Sequence, residues 1–235
     1  MLKNHMVGIT PAFDGPNYEL MRQAGFEWVR QGYSFPFEDR IGGKLSQSFL
    51  KSDAEIDRYL AEGFGVLCNF PGPGSMRFVP AEGKTVYSRG TPLWMGELTE
   101  GRYYDQLFEM AKWMGEYTKD KITYWQVANE PDIDIFYGPL TREQNVRWLL
   151  TAGNPAAQCG INLGYINDYA RFLLKAIYVI PDSPFDYLGI DGYMGSWQPG
   201  GPDSWIGYID EVTEITGKPV IINEWGYSSL QWGEK

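Results

Sequence analysis

Apolar and polar residues follow one another in short runs that predict seven strands, most of them separated by helices. Runs rich in apolar and β-branched residues predict strands over 7–10, 26–31, 65–70, 122–129, 157–164, 185–193 and 219–224. Apolar residues at helical spacing predict helices over 17–25, 52–63, 102–118, 165–178 and 204–216, with a further helix starting at Thr141. The Gly- and Pro-rich stretch 71–99 is predicted to be a long loop.

Polar residues at the predicted helix starts indicate where several helices begin. Ser52 with Glu55 three residues later has the pattern of a capping box, and Thr141 with Gln144 repeats it. Asp203 is the expected cap of the last helix. These signals predict helix starts at three positions that the structure can test.

Strands that alternate with helices require parallel pairing through helical crossovers. Two architectures satisfy this pattern, an open doubly wound sheet and a TIM-type (β/α)8 barrel. The barrel is favoured because polar or charged residues end several strands, namely Arg30, Asn69, Glu130, Tyr193 and Glu224. An open sheet would concentrate such residues at one switch point. No Gly-rich phosphate loop follows the first strand. We therefore predict an α/β fold of the TIM-barrel type.

The strand count raises a question about barrel closure. We expect residues 1–235 to form a single catalytic barrel domain with seven βα units, incomplete at its C-terminal end. The residues after Glu224 are too few for another helix and strand, so two strand edges would stay open. Truncation, a fragmentary chain, or a partner chain such as a second copy in a homo-oligomer would each account for this.

Charge and composition narrow the class of partner. A net charge of −10 argues against nucleic acid and anionic membranes, and it favours a neutral substrate. With 9 Trp and 16 Tyr, the chain has either a large aromatic core or a cleft lined with rings that stack on sugars. No apolar run is long enough for a membrane span, and no signal peptide is recognisable. We expect a cytoplasmic protein or a processed secreted one.

The residues that bind metals or form nucleophilic triads are scarce. The lone histidine is His5, and Cys68 and Cys159 lie in apolar runs typical of buried free thiols. Asp132 and Asp134 have a spacing that suits oxygen ligation of a metal, but no further acidic ligands accompany them. We predict neither a cofactor nor a metal site.

Two glutamates end strands in the predicted barrel. Glu130 closes the run in YWQVANEPDI, and Pro131 is expected to hold it in an extended conformation. Glu224 closes the seventh strand, where Val220, Ile222 and Glu224 are predicted to share one face. A facing pair of carboxylates suits glycoside hydrolysis. A gap of about 5–5.5 Å gives retention, and about 6.5–9.5 Å gives inversion.

The segments around both glutamates resemble those of a known enzyme clan. WQVANEPD resembles the Asn-Glu-Pro acid/base motif of the clan A glycoside hydrolases, and KPVIINEWGYSS resembles their nucleophile strand, nearest to the branch of families 5 and 39. WVRQ resembles the arginine segment of the clan's second strand, and FDYLGIDGY resembles the sixth strand that ends in Tyr. These segments occur in the clan's order over about residues 7–229.

The resemblance implies a role for each matching residue. Glu130 would be the acid/base, and Glu224 would be the nucleophile. Asn129 would bond the 2-hydroxyl of the sugar, while Arg30 and Tyr193 would bond Glu224 and keep it ionised and oriented. These roles define a retaining mechanism.

Further candidates line the predicted cleft. Trp225 follows the nucleophile and is a candidate for stacking on the substrate, and Asn69 would reach the cleft from the third strand. Sugar platforms from loops are Trp94, Trp197 and Trp205. Each of these residues could also have a purely structural role. The tryptophans could cover apolar residues, and Asn69 could bond the backbone of a loop.

The chain departs from the clan pattern at three places. Asp191 precedes Gly192 and Tyr193 where the clan often has a histidine, and Ala128 stands where a Trp or Gly often precedes the Asn-Glu pair. The tryptophan of an eighth strand has no counterpart. The sequence therefore supports a retaining β-glycosidase acting on an oligo- or polysaccharide, with a catalytically weak carbohydrate-binding or scaffold protein as the alternative.

Overall fold

The computed structural model describes residues 6–11, 15–153, 158–193, 200–201 and 203–226. Its strands are β1 Gly8–Ile9, β2 Trp28–Gly32, β3 Gly65–Phe70, β4 Gly74–Val79, β5 Lys84–Arg89, β6 Tyr124–Val127, β7 Gln158–Gly160, β8 Asn162–Leu163, β9 Leu188–Gly192 and β10 Val220–Trp225. Its helices are α1 Tyr18–Gln23, α2 Gln47–Ala61, α3 Gly101–Thr118, α4 Asp134–Tyr137, α5 Arg142–Ala152, α6 Asp168–Ile177 and α7 Ser204–Thr216.

The parallel strands form a barrel-type sheet in the order of the chain. One sheet has the order β1-β2-β3-β6-β7 and the other has the order β8-β9-β10, and all their pairs are parallel. Strands β7 and β8 are separated by a single residue, Ile161, and pair with β6 and β9 respectively, so they act as two halves of one strand. The seven predicted strands are therefore all present. Within the described residues, β1 and β10 each pair on one side only.

The inner and outer faces of the strands carry different residues. Outward-facing residues such as Val29, Trp125 and Val127 pack against the helices in the main core. A second, smaller cluster lies inside the sheet and contains Leu67, Tyr124, Tyr187, Met6, Trp28 and Ile221. Side chains two residues further along each strand face the same way, because strand side chains alternate. On the inner face, a layer of polar side chains therefore follows this apolar cluster, towards the C-terminal ends of the strands.

Helix α2 begins at Gln47, five residues before the predicted start at Ser52. Ser46 is the cap residue, and its Oγ accepts the backbone N–H of Phe49 at 3.1 Å. Ser52 lies inside the helix and donates to the carbonyl of Ser48. The predicted capping box at Ser52 is wrong because the buried ring of Phe49 extends the apolar face of the helix towards its N-terminus.

The other two helix starts differ in outcome. Thr141 and Gln144 form the predicted capping box at the start of α5. Asp203 precedes α7, but its side chain makes no capping hydrogen bond because its backbone is already helical, with φ −68° and ψ −17°. Asp203 thus occupies the predicted cap position of α7, but the capping hydrogen bond expected of its side chain is not made.

The predicted long loop contains regular structure. Strands β4 and β5 pair antiparallel from Gly74 opposite Arg89 to Val79 opposite Lys84, and a 3₁₀ turn follows at Leu93–Met95. The Arg89 guanidinium donates to the carbonyl of Thr91 at 2.9 Å, which ties the hairpin to the chain that follows it. No helix in the described part of the chain has both the length and the apolar character to cross a bilayer.

Candidate active site

Glu224, near the end of β10, is held by two donors, one on β2 and one just after β9. Arg30 on β2 places Nη1 2.7 Å from Glu224 Oε1, and the Tyr193 hydroxyl donates to Oε2 at 2.6 Å. Burial, with the hydrogen bond to Glu224, raises the pKa of the Tyr193 phenol, which therefore stays a neutral donor. Both oxygens of Glu224 accept, as in an ionised carboxylate with a fixed orientation. The structure thus brings these three predicted site residues into contact.

A β-bulge brings Glu224 to the inner face. Residue 223 has no partner in the register, because Ile222 pairs with Ile190 and Glu224 pairs with Asp191. The Asn223 amide reaches inward and donates to Gln126 at 2.8 Å, and Glu224 also reaches inward. The prediction that Ile222 shares a face with Glu224 is wrong, since the extra residue reverses the alternation.

Glu130 lies in a tight turn after β6 rather than in an extended segment. Its φ is +41°, and Ala128 has φ +65°, so both lie in the left-handed region. The Glu130 N–H donates to Asn162 Oδ1 at 3.0 Å, and its carbonyl accepts the N–H of Ile133 at 2.9 Å. The predicted extended conformation is wrong. Pro131 disfavours the right-handed helical region for Glu130, and these hydrogen bonds stabilise the left-handed one.

Asn129 joins the two halves of the site. Its Oδ1 accepts from Arg30 Nη2 at 2.7 Å and from Gln126 and Asn162 at 3.4 Å each. No hydrogen bond from its Nδ2 reaches the part of the chain that the structure describes, which leaves an amide donor for a ligand. Asn129 therefore lies between Arg30 and the turn that carries Glu130, and its bond to a sugar 2-hydroxyl stays a prediction.

Three polar residues of the site escaped the sequence prediction. Gln126 accepts from Arg30 Nε at 2.9 Å and donates to Asn162 Oδ1 at 2.8 Å. Asn162 Nδ2 in turn donates to Asp191 Oδ2 at 2.6 Å. Gln126, Asn162 and Asp191 are all buried. Their positions on the inward faces of β6, β8 and β9 could have identified them as site residues, because a buried polar residue on an inner strand face requires a hydrogen-bond partner.

The carboxyl groups of Glu130, Asp191 and Glu224 lie together beside one guanidinium, that of Arg30. Burial raises the pKa of Glu130 to about 7; a hydrogen bond with Asp191 lowers it in part, and the charge of Glu224 raises it again. Burial also raises the pKa of Asp191 to about 9, and the charges of Glu224 and Glu130 add to this. Like charges in a buried site disfavour further ionisation. Near neutral pH Glu130 and Asp191 therefore hold protons beside Glu224, whose two oxygens both accept hydrogen bonds.

Asp132 supports the turn through both of its carboxylate oxygens. Its two oxygens accept the backbone N–H groups of Gly164 and Tyr165 at 2.9 and 2.8 Å, and burial raises its pKa to about 6. Asp134 is exposed at the start of α4. Gly164 also makes room for the acid, because a Cβ there would lie 2.7 Å from Glu130 Oε1.

A cavity of about 620 Å³ opens between β1 and β10. Trp28, Leu67 and Ile221 form part of its apolar wall, and Arg30, Glu224, Tyr193 and Trp225 are among its other lining residues. Trp225 is 64% exposed, and its ring meets that of Trp205 edge-on at 6.2 Å between centroids. The predicted stacking residue is thus accessible to a ligand beside the nucleophile position.

The remaining candidates make no described hydrogen bond to the carboxyl cluster. Asn69 is half-buried on β3, and its Oδ1 is buried without a hydrogen-bond partner among the described residues. It makes no described hydrogen bond to another candidate residue. Trp94 packs against the main core, and Trp205 packs across Gly192. Trp197 lies outside the described residues.

The raised pKa values predict how stability changes with pH. Between the unfolded-state values of about 4 and the folded-state values of about 7 and 9, Glu130 and Asp191 bind more protons in the native protein. Their contribution to the free energy of unfolding is complete below about pH 4 and is lost as the pH rises through the folded values. We expect Asp191→Asn to be more stable than the natural protein at pH 9, by on the order of a few kcal/mol, and similar to it at pH 4.

Urea unfolding at pH 4, 7 and 9 measures this difference. Asp210→Asn changes an exposed aspartate on α7 and is the matched control, with no expected pH-dependent gain. A constant difference between Asp191→Asn and the natural protein across this range would show that Asp191 ionises normally.

Comparison with known proteins identifies the fold. No family model matches the chain, and no curated protein matches it. Similar solved structures include fungal β-1,4-galactanases, with a TM-score of 0.61, 15% identity, and coverage of 92% of this chain and 72% of theirs. A GH53 catalytic domain from Ignisphaera aggregans has a TM-score of 0.62 and 17% identity, over 92% of this chain and 63% of that domain. A family 1 β-glucosidase from Thermotoga maritima has a TM-score of 0.58 and 15% identity, over 87% and 64%.

These likenesses confirm the predicted barrel fold. The chain folds as a partial (β/α)8 barrel of the type found in clan A glycoside hydrolases. It spans about 63–72% of the length of these three structures. Because the neighbours belong to families 53 and 1, the predicted likeness to families 5 and 39 is only approximate.

Proposed function

We propose that the chain is a retaining glycoside hydrolase that cleaves β-glycosidic bonds of an oligo- or polysaccharide. One observation carries this proposal: the two glutamates occupy environments that assign them different protonation states. Glu224 accepts from Arg30 and Tyr193 through both oxygens, whereas burial raises the pKa of Glu130 to about 7. Such a division between an ionised and a protonated carboxyl group is what two-step glycoside hydrolysis needs.

In the first step Glu224 attacks the anomeric carbon, and its Oε forms a covalent bond to the sugar. The Glu130 proton passes to the glycosidic oxygen as the bond to the leaving group breaks. In the second step Glu130 takes a proton from water, and the water oxygen replaces Glu224 at the anomeric carbon. Asn129 donates its free amide N–H to the 2-hydroxyl, in a contact that strengthens as positive charge develops on the ring.

The surroundings of the pair suit a neutral saccharide. The chain has a net charge of −10, which repels anionic ligands, and the cavity beside Glu224 has an aromatic border at Trp225. The similar structures include β-1,4-galactanases and a β-glucosidase, which supports a β-linked substrate.

Two measurements test the proposal together. The first is a hydrolysis screen over aryl β-glycosides and over β-glucans, mannans, xylans and galactans, with the anomer of the first product read by NMR. The second is trapping with 2-deoxy-2-fluoro glycosides that carry good leaving groups, followed by peptide mass spectrometry. We expect retention of configuration and a covalent adduct on Glu224. Inversion of configuration, or an adduct on another residue, would refute the assignment.

The open strand edges favour a second candidate function. The cavity lies between the edges of β1 and β10 that pair with no strand among the described residues. Within this part of the chain, the substrate site is therefore open on the side between these two strands. A carbohydrate-binding protein with weak or absent catalysis would bind oligosaccharides in calorimetry without releasing product. Closure of these edges by a second copy remains a prediction, which sedimentation of the protein tests.

A further inference from the structure

Asp191 and Glu130 lie side by side, because Asn162 accepts the Glu130 backbone N–H and donates to Asp191 Oδ2. Their carboxyl groups interact directly and are placed to share a hydrogen bond. Ionised carboxylates only accept hydrogen bonds, so two of them cannot bond each other unless one carries a proton. The contact therefore requires at least one proton on the pair at any pH at which it persists. The resemblance to clan A enzymes gives no role to Asp191, because the clan often has a histidine at this place.

The surroundings of the pair assign this proton to Asp191. Asp191 is only 3% exposed, whereas Glu130 is partly exposed. Arg30 already binds Glu224 at 2.7 Å, so ionisation of Asp191 would place a second negative charge beside one guanidinium in a buried site. Burial disfavours this charge more strongly at Asp191 than at Glu130.

Asn162 fixes the geometry of both partners. Its Oδ1 accepts the Glu130 backbone N–H at 3.0 Å, and its Nδ2 donates to Asp191 Oδ2 at 2.6 Å. The Gln126 amide donates to the same Asn162 oxygen at 2.8 Å, which sets the orientation of the Asn162 side chain. With Oδ2 accepting from Asn162, the proton of Asp191 is left for the bond to Glu130.

We propose that Asp191 is a positioning residue that keeps its own proton throughout the reaction and donates it in a hydrogen bond to the carboxyl group of Glu130. The proposal rests on the function proposed above. It deepens that function by naming what stabilises the ionised form of Glu130 between the two steps.

The proton balance of the cycle is unchanged by this role. When the glycosidic bond breaks, the proton of Glu130 moves to the leaving oxygen, and Glu130 becomes a carboxylate. Asp191 retains its O–H and donates to this carboxylate while the sugar is bonded to Glu224. When water attacks, one water proton returns to Glu130, and Asp191 again has the proton that it had at the start. Asp191 thus never exchanges a proton with the substrate.

The charged and titratable groups around the pair come from four places in the fold, which are β2, the turn after β6, the C-terminal end of β9, and β10. Asp191 is acted on by Glu130, Glu224 and Arg30, and Glu130 is acted on additionally by Asp132. Tyr193 lies next to Glu224 and is influenced by both members of the pair. Among these groups only Arg30 is a cation, and it acts on both carboxyl groups in the same direction.

A pair of variants tests the role through the pH profile of kcat/KM with an aryl β-glycoside. Asp191→Leu removes the donor, so we expect the basic limb set by Glu130 to move to higher pH by about one unit. We also expect kcat/KM at the optimum to fall about 100-fold, because Glu130 loses its orientation. Asp191→Asn keeps a neutral donor and should restore most of this loss, within about 10-fold of the natural enzyme.

The opposite direction of the shift would overturn the proposal. If Asp191 were ionised, both variants would remove a negative charge beside Glu130, and the basic limb would move to lower pH in both. Equal losses in the Asn and Leu variants would also contradict a hydrogen-bond donor role. Thermal unfolding of each variant before the assay shows that it is folded.

A measurement without turnover separates this proposal from the proposed function. In the natural protein, ¹³C NMR of labelled Glu and Asp carboxyl carbons follows both titrations, and Glu130→Gln and Asp191→Asn assign the signals. We expect Glu130 to titrate before Asp191 as the pH rises. Absence of hydrolysis together with this order would refute only the enzymatic function. Titration of Asp191 near pH 4 would refute the proton-holding role whether or not the protein hydrolyses glycosides.

Discussion

Glu224→Ala is expected to abolish hydrolysis of an activated aryl β-glycoside, with kcat lowered by about 10⁴-fold or more. The variant keeps Arg30 and Tyr193 in place but has no oxygen to bond to the anomeric carbon. Azide is expected to restore part of the turnover, because the small anion fits into the space of the lost carboxylate beside the Arg30 guanidinium. Its product would be the glycosyl azide of inverted configuration, identified by NMR.

A conservative variant and a surface control complete this experiment. Glu224→Gln keeps the shape of the side chain and a partner for Tyr193, so it separates the loss of the nucleophile from the loss of packing around Arg30. Glu214→Ala removes an exposed glutamate of α7 and is expected to leave turnover as it is. A kcat of Glu224→Ala equal to that of the natural enzyme would rule out this residue as the nucleophile, and with it the double-displacement mechanism.

The strands and the principal site residues were predictable because both follow from short-range patterns. Alternating runs define each strand, and the chain order of the strands gives the order of pairing. Once the barrel is accepted, residues at the C-terminal strand ends converge. The resemblance to clan A enzymes added the expectation that Arg30 and Tyr193 bond Glu224, and the structure has both contacts. The hydrogen bond from Arg30 to Asn129 follows from the same convergence.

The local backbone at both glutamates was predicted wrongly because it depends on partners distant in sequence. The bulge at Asn223 is stabilised by a hydrogen bond to Gln126, nearly a hundred residues earlier. The left-handed conformation of Glu130 depends on an acceptor from Asn162 on another strand. Neither partner is identifiable from the pattern of Asn223 or Glu130 itself, so alternation and the preference before proline gave the wrong geometry.

Asp191 was missed for a related reason. In the sequence it is a polar residue in an apolar strand and a departure from the clan pattern. Its significance comes from the closure of the sheet, which brings it beside Glu130 and in register with Glu224. Contacts of this kind depend on which strands become neighbours and on their register, and a single sequence specifies these only indirectly.

The acid/base assignment predicts that the effect of Glu130→Ala depends on the leaving group. For substrates with poor leaving groups, such as an unactivated disaccharide, kcat/KM is expected to fall about 10³-fold or more, because the glycosidic oxygen leaves without a proton. For a dinitrophenyl glycoside, which needs no protonation, kcat/KM should change less than about 10-fold. Its kcat and KM should fall together, since the glycosyl-enzyme accumulates when no base activates water. The steady-state kinetics of a series of aryl glycosides measure both effects.

The pH profile and azide give independent checks on the same variant. The natural enzyme is expected to lose kcat/KM above about pH 7, where Glu130 ionises, and this basic limb should vanish in Glu130→Ala. Azide attacks the accumulated intermediate from the side that Glu130 occupied, so its product should have retained configuration, opposite to that from Glu224→Ala. The two anomers therefore assign the two glutamates without reference to any other enzyme. Inverted product from Glu130→Ala and retained product from Glu224→Ala would exchange their roles.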